Sequence, residues 1–296
     1  MSTPPPRQLF AEETSAQVVT ASFAGTPDPR LQRILTSLVQ HLHAFVKDVE
    51  LTEAEWSAAI GFLTRTGQAC TGVRQEFILL SDVLGISMLV ETINNQAGGG
   101  ETESTVLGPF HLVESPPRAH GDTISLDGSG EPCLVTVIVT DGGGEPVPGA
   151  QIDVWQANSG GFYDVQQPGI QPESNLRGLF SADEGGAAWF RTIVPRYYPI
   201  PVDGPVGQLL HATSRHPNRP AHIHFLITAP GCRPLTTHIF VNGSPFIDSD
   251  AVFAVKDSLI RDFAPVNDAA RAAAAGLPNP FRTVHFDAVL QRIAQS

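Results

Sequence analysis

From residue 28 to about residue 95 the apolar positions recur with helical spacing. Leu31, Ile34, Leu35, Leu38, Leu42, Phe45 and Val46 stand at i, i+3, i+4 intervals and predict one apolar helix face. Thr52 and Glu55 form a capping box ahead of Trp56, Ile60 and Leu63, which predicts a second helix. A third segment, from about Val73 to Ile93, is apolar on most sides and predicts a buried helix. Residues 1–27 are rich in Pro, Ser and Thr and read as an arm with little regular structure. The Gly-rich run 96–100 reads as a linker.

After the linker the texture changes. Pro and Gly become frequent, and short β-rich runs recur at 134–140, 151–156, 187–194, 222–228 and 236–241. Such runs, separated by turn residues, predict an antiparallel sandwich or barrel. A short helix is predicted over 268–275. The pattern as a whole predicts an α+β chain: an arm over 1–27, a helical domain with its linker over 28–104, and a mostly antiparallel β-sandwich over 105–296. No internal repeat is evident.

Composition narrows the partners. The 296 residues include 18 Lys+Arg and 30 Asp+Glu, a formal net charge of −12. Such a surface repels nucleic acid and anionic membrane, so neither is expected as a partner. No apolar run approaches the roughly 20 residues that span a bilayer, and the first residues carry no apolar signal core. Cys70, Cys133 and Cys232 show no Cys-x-x-Cys spacing. The expected setting is the reducing cytoplasm, with these cysteines as small buried residues.

The candidate chemistry lies in the segment from Arg215 to Phe225. His222 and His224 open a predicted strand, where side chains two apart share a face. Two neutral imidazoles on one face can hold a transition metal. The chain has three tyrosines, Tyr163, Tyr197 and Tyr198, all within 62 residues upstream of His224. A phenolate is a hard anionic donor that suits Fe(III) better than Zn(II) or Cu(I). Its free pKa lies near ~10, so a strongly charged ion is needed to hold it deprotonated at neutral pH. Taken singly, each residue also has a structural reading. A His-x-His pair can be buried packing, Tyr163 a turn aromatic, and Tyr197-Tyr198 a filler under its proline turn.

Four stretches carry more than their residue types: Val154-Trp-Gln-Ala-Asn158 with Gly161-Phe-Tyr163, Asn175-Leu-Arg-Gly178, Tyr198-Pro-Ile-Pro-Val-Asp-Gly-Pro205, and Arg215-His-Pro-Asn-Arg-Pro-Ala-His-Ile-His-Phe225. In order and spacing they resemble the intradiol ring-cleaving dioxygenases of the catechol 1,2-dioxygenase type, over nearly the whole chain. The resemblance implies a non-haem Fe(III) held by Tyr163, Tyr198, His222 and His224, with a solvent hydroxide as fifth ligand. Tyr197 is excluded, because the family's ligand is the tyrosine directly before the Pro-Ile-Pro turn. It also implies that a catecholate and O2 are the reactants, that the substrate displaces Tyr198, and that the ring opens between its two hydroxylated carbons to a cis,cis-muconate.

Arg219 matches the family's arginine that orients the ring or stabilises charge on it. His238 stands where many catechol-cleaving members carry glutamine, and a hydrogen-bonding role beside Arg219 is expected of it. The family's pocket positions fall here on Leu79, Asp82, Val106, Leu107, Gly108, Pro109, Phe110, Ile200, Pro201 and Val252. Leu79 and Asp82, at i and i+3, share a helix face, and an acid in so apolar a helix is costly unless paired or wet. The stretches 76–85 and 104–110 resemble most the branch that cleaves hydroxyquinol (benzene-1,2,4-triol) to 3-hydroxy-cis,cis-muconate, the enol form of maleylacetate. The N-terminal helices resemble the segment through which two subunits of the family pair, around an apolar tunnel that can hold a phospholipid.

Overall fold

The computed structural model describes residues 9–71, 74–95, 100–112 and 115–293; the expected linker lies, except for Gly100, outside them. Two compact units divide the chain, Met1–Arg65 and Thr66–Ser296.

The first unit carries α1 (Ser15–Ala21), α2 (Pro29–Asp48) and most of α3 (Glu53–Gln68). The region expected as an irregular arm therefore holds one short helix. Helix α2 starts where Asp28 accepts the Arg30 N–H at 2.8 Å and Pro29 fills the first turn. The Thr52–Glu55 box forms as expected, with the Thr52 N–H donating to Glu55 at 2.9 Å and the Glu55 N–H to Thr52 at 3.3 Å. The apolar stripe of α2 is present but uncovered: Leu31, Ile34, Leu38, Leu42, Phe45 and Val46 are all exposed, as are Trp56, Ile60 and Leu63 on α3.

The second unit begins with α4 (Glu76–Val83) and α5 (Ile86–Asn94). These were expected as one buried helix. Gly85 breaks it, in the left-handed region at φ 73°. Burial is one-sided as well: Leu79, Val83 and Met88 are buried, whereas Phe77, Ile78, Leu89, Val90 and Ile93 are exposed.

The strands are β1 (Pro132–Asp141), β2 (Gln151–Gln156), β3 (Arg177–Ser181), β4 (Ala187–Ile193), β5 (Tyr198–Pro199), β6 (Asn218–Arg219), β7 (His222–Thr228), β8 (Leu235–Val241), β9 (Ile260–Arg261), β10 (Ala264–Val266) and β11 (Phe281–Leu290). Helix α6 (Pro205–Ala212) lies between β5 and β6, and α7 (Ala269–Ala275), capped by Asp268, precedes β11. One sheet has the order β10-β11-β1-β4 and the other β3-β2-β7-β8-β9. Pairing is mostly antiparallel; β1 with β11 and β8 with β9 are the parallel exceptions. Val135, Val137, Val139, Phe190 and Phe286 from the first sheet and Ile152, Val154, Ile223, Phe225 and Ile239 from the second fill one core, which makes the unit a sandwich. Cys133 and Cys232 are buried and Cys70 is half-buried; all three are free. Burial pushes the Cys133 thiol up to about 12. Among the described residues, no helix is long and apolar enough to cross a membrane.

Candidate metal centre

Alternation along β7 builds the site. Ile223, Phe225 and Ile227 enter the core, so His222 and His224 stand on the opposite face, and both are buried. Register adds their neighbours. His224 pairs with His238 on β8 and with Trp155 on β2. The Trp155 ring stacks on His224 at 4.6 Å and 13°. Gly108 closes over the same imidazole at φ 78°, and a Cβ there would lie 3.1 Å from its Cε1.

Two loops bring in the tyrosines. Tyr163 follows β2 and starts a single turn in which its N–H donates to Gln166 Oε1 at 2.9 Å. The next residue, Asp164, is locked by Arg177, whose Nε and Nη2 donate at 2.8 and 2.7 Å. Phe110 stacks on the Tyr163 ring at 4.5 Å. Tyr198 is held by the β5–β6 pair directly across from Arg219. Tyr197 turns elsewhere, its ring 5.3 Å from Phe246.

The polar atoms converge. The Tyr163 hydroxyl lies 3.3 Å from the Tyr198 hydroxyl and 3.1 Å from His224 Nε2, which is 3.2 Å from His222 Nε2. His222 Nδ1 faces the Pro220 carbonyl at 2.7 Å; as the donor there, it leaves Nε2 with a lone pair toward the tyrosines. Burial lowers all three imidazoles, His222, His224 and His238, well below their ordinary range, so they stand neutral. Burial, and then the neighbouring Tyr198, raises the Tyr163 phenol well above its usual value. Without a cation, that phenol stays protonated at neutral pH.

This donor set fits a metal ion. It joins neutral imidazole nitrogens to two phenol oxygens, and His224 Nδ1 and His238 Nε2 are buried with no hydrogen-bond partner among the described residues. The ligating atoms of His222, His224 and His238 lie within 4.8 Å of one another. Thr105 engages the other nitrogen of His238 through a short hydrogen bond.

Arg219 is buried against the centre, its Nη1 3.4 Å from His222 Nε2. Its other edge meets Asp250, Nε to Oδ1 at 3.1 Å and Nη2 to Oδ2 at 3.3 Å. Burial works against this guanidinium's charge, but the paired Asp250 carboxylate outweighs it and keeps the group charged.

Of the expected pocket residues, Leu79, Pro109, Phe110 and Pro201 line a cavity of about 540 Å³ together with Arg74, His111 and Val165. Leu79, Val106, Ile200 and Val252 pack in one apolar cluster. Leu107, 41% exposed, Gly108 and Asp82 belong to neither. Asp82 is buried on α4 and carries a carboxyl raised by that burial, which the Ser87 hydroxyl partly offsets. Another cavity, of about 600 Å³, is lined by Arg215, His216, Ile247 and Phe253 and includes Asp250; the lining of neither cavity includes any of the four metal-ligand candidates.

Asp250, Trp155, Thr105 and the Asp164–Arg177 pair are site residues to which the sequence reading gave no role. Trp155 was within reach, since it stands one residue from core-facing Val154 and therefore shares the histidines' face. Asp250 carries no local signal, because its partner is 31 residues away.

The sandwich, with its buried cluster of two tyrosines and two histidines, defines the class. The chain belongs to the intradiol ring-cleaving dioxygenase family and is an oxidoreductase of that kind. Residues 28–102 match the family model described as the catechol dioxygenase N terminus, and residues 107–292 the model described as dioxygenase. The chain is 55% identical over 284 residues to a hydroxyquinol 1,2-dioxygenase of Rhizobium sp. (strain MTP-10005), covering 96% of each chain. It superposes on the crystal structure of a hydroxyquinol 1,2-dioxygenase from Pseudomonas putida DLL-E4 with TM-score 0.90 and 47% identity, over 95% of this chain and 99% of that one. A catechol 1,2-dioxygenase structure from Acinetobacter radioresistens gives TM-score 0.83 at 28% identity, over 97% of this chain and 94% of that one.

Proposed function

We propose that this chain is a ferric enzyme that opens hydroxyquinol with O2 between its adjacent hydroxylated carbons, giving 3-hydroxy-cis,cis-muconate, the enol of maleylacetate. The observation that carries the metal reading is the convergence of the Tyr163 and Tyr198 hydroxyls with His222 and His224 Nε2, at 3.1 to 3.3 Å between neighbours. Three histidines alone would suit zinc, but two phenol oxygens make the set hard and anionic, which suits Fe(III). When bound there, the ion supplies Lewis acidity and an electron-accepting centre for ring oxidation by O2.

The chain's own residues do the rest. Tyr163, Tyr198, His222 and His224 would hold the ion, and the Tyr198 oxygen would be placed to take up a substrate proton. Arg219 keeps a fixed positive charge against the ring in a site closed to water. His238, fixed by Thr105, offers a hydrogen bond beside it. Leu79, Pro109, Phe110, Ile200, Pro201 and Val252 hold the ring, and Asp82 meets its third hydroxyl. Domain roles follow: the helical region over 28–104 pairs two copies and lends Leu79 and Asp82 to the pocket, and 105–296 carries the metal centre and the rest of the site. The exposed stripes of α2 and α3 suit such pairing, with a phospholipid as an occasional occupant between copies. The cytoplasm is the compartment.

Substrate choice rests on Asp82 and on the two hydroxyquinol 1,2-dioxygenases described above. A site built to bond a third hydroxyl rejects the ring that lacks it, because the buried carboxyl is left unpaired. The test compares kcat/KM for hydroxyquinol and catechol. The parent is expected to prefer hydroxyquinol by about tenfold or more, and Asp82→Ala to lose most of that preference. A parent that prefers catechol would remove hydroxyquinol as the substrate and leave the ring-cleaving assignment in place.

A further inference from the structure

The charges beside the metal centre are unequally shared. Two buried acids, Asp82 and Asp250, stand on neighbouring segments: the Arg215 guanidinium bridges the Val83 and Ala251 carbonyls, next to each, at 2.6 and 3.0 Å, and the buried Arg219 pairs with Asp250. Arg219 commits a whole edge to Asp250, with Nε and Nη2 bonding one carboxylate oxygen each. Backbone N–H groups complete both oxygens: Val252 donates to Oδ1 at 3.3 Å and Ala254 to Oδ2 at 3.1 Å. With four donors on it, the carboxylate has no freedom to turn. What remains of the guanidinium, Nη1, is directed to His222.

Asp82 has no cation at ion-pair distance among the described residues, and the Ser87 hydroxyl below it donates to Ser81 at 2.9 Å. It stands on α4 one turn from Leu79, which lines the cavity. A buried arginine does not stay unpaired. If Asp250 were absent, Asp82 is the buried acid on the segment packed against the Ala251–Val252 turn.

We propose that Asp250 is a specificity-positioning residue: by holding Arg219 at the metal-ligand side of the pocket, it keeps the guanidinium off Asp82 and reserves that carboxyl for the additional hydroxyl of a trihydroxylated ring. The same carboxylate fixes the turn that presents Val252, so one residue sets both the charged and the apolar wall. The substrate part rests on the hydroxyquinol reading above; the placement of Arg219 does not.

The test is Asp250→Asn, read by crystallography and by substrate ratio. Arg219 is expected to move into hydrogen-bond distance of Asp82. The hydroxyquinol-to-catechol ratio of kcat/KM should fall about tenfold or more, because the carboxyl is now occupied. Asp250→Glu keeps the charge and should hold the ratio within about twofold of the parent. If Asp250→Asn does not fold, Asp250→Ser retains one acceptor for the Val252 N–H and gives the same readouts. An Arg219 that has not moved overturns the proposal whichever substrate the parent prefers. A moved Arg219 with an unchanged ratio overturns it too. A parent preferring catechol counts against the proposed function, and the position of Arg219 in the variant then decides this inference alone.

Discussion

The two faces of the five-stranded sheet are made by the same strands and have opposite characters. Inward, Ile223, Phe225 and Ile227 are fully buried apolar groups with nothing left to bond. Outward, one residue away in each case, His222 and His224 are equally buried, and His224 Nδ1, His238 Nε2 and Trp155 Nε1 have no partner among the described residues. The inner face lowers the free energy of folding by burial. The outer face buries imidazole and indole nitrogens that find no hydrogen-bond partner among the described residues, at a cost to stability. The fold and the site are thus separated by a single step along one strand.

The sharpest way to break this contrast is a pair of neighbours on β7. Phe225→Ala should cost about 3–5 kcal/mol in chemical denaturation, yet leave metal per folded protein unchanged. His224→Ala should abolish metal retention and ring cleavage, while costing the apoprotein much less stability than Phe225→Ala. Equal losses of stability from both would erase the distinction between the faces.

A smaller effect follows from pH. The three histidines have folded pKa values well below the ordinary 6.5. Below that value the unfolded chain takes up protons that the folded chain refuses. Their contribution to stability is therefore fully present above pH 6.5 and is lost as pH falls beneath it. Denaturation of the apoprotein should show a slope of up to roughly 4 kcal/mol per pH unit. Replacing both ligand histidines by Ala should cut it to roughly a third, the share of His238.

The smallest effect is at Gly108. A methyl group there must adopt φ 78° and press on His224 Cε1, so Gly108→Ala should destabilise by about 1–2 kcal/mol and disturb metal binding. Gly144→Ala, where nothing lies within 4 Å, should leave metal binding alone.

What was legible in the chain was periodicity. The period of two gave the β-rich runs and set His222 beside His224, and the capping box gave the start of α3. Strand β11 was missed although it alternates well: Val284, Phe286, Ala288 and Leu290 are buried, His285 and Asp287 exposed. Its partner β1 lies some 150 residues earlier, and the pairing is parallel, so no turn signal announces it. Helix α2 shows the complementary limit. Its pattern identifies an apolar face but not what covers that face, and within one chain it stays exposed. In the site, the four ligand candidates were readable as residue types with a family resemblance. Their partners were not, because Asp250 and Thr105 reach Arg219 and His238 only through tertiary packing.

The most direct test of the central claim is a titration of iron into the apoprotein under air, following visible absorption and proton release together. A tyrosinate-to-Fe(III) band should grow to one equivalent as the phenols give up their protons. Tyr163→Phe and Tyr198→Phe should each shift or bleach it, and Tyr197→Phe should leave it unchanged. Stoichiometric iron binding without a band, or a band indifferent to Tyr163 and Tyr198, would contradict the two-tyrosine, two-histidine ferric centre.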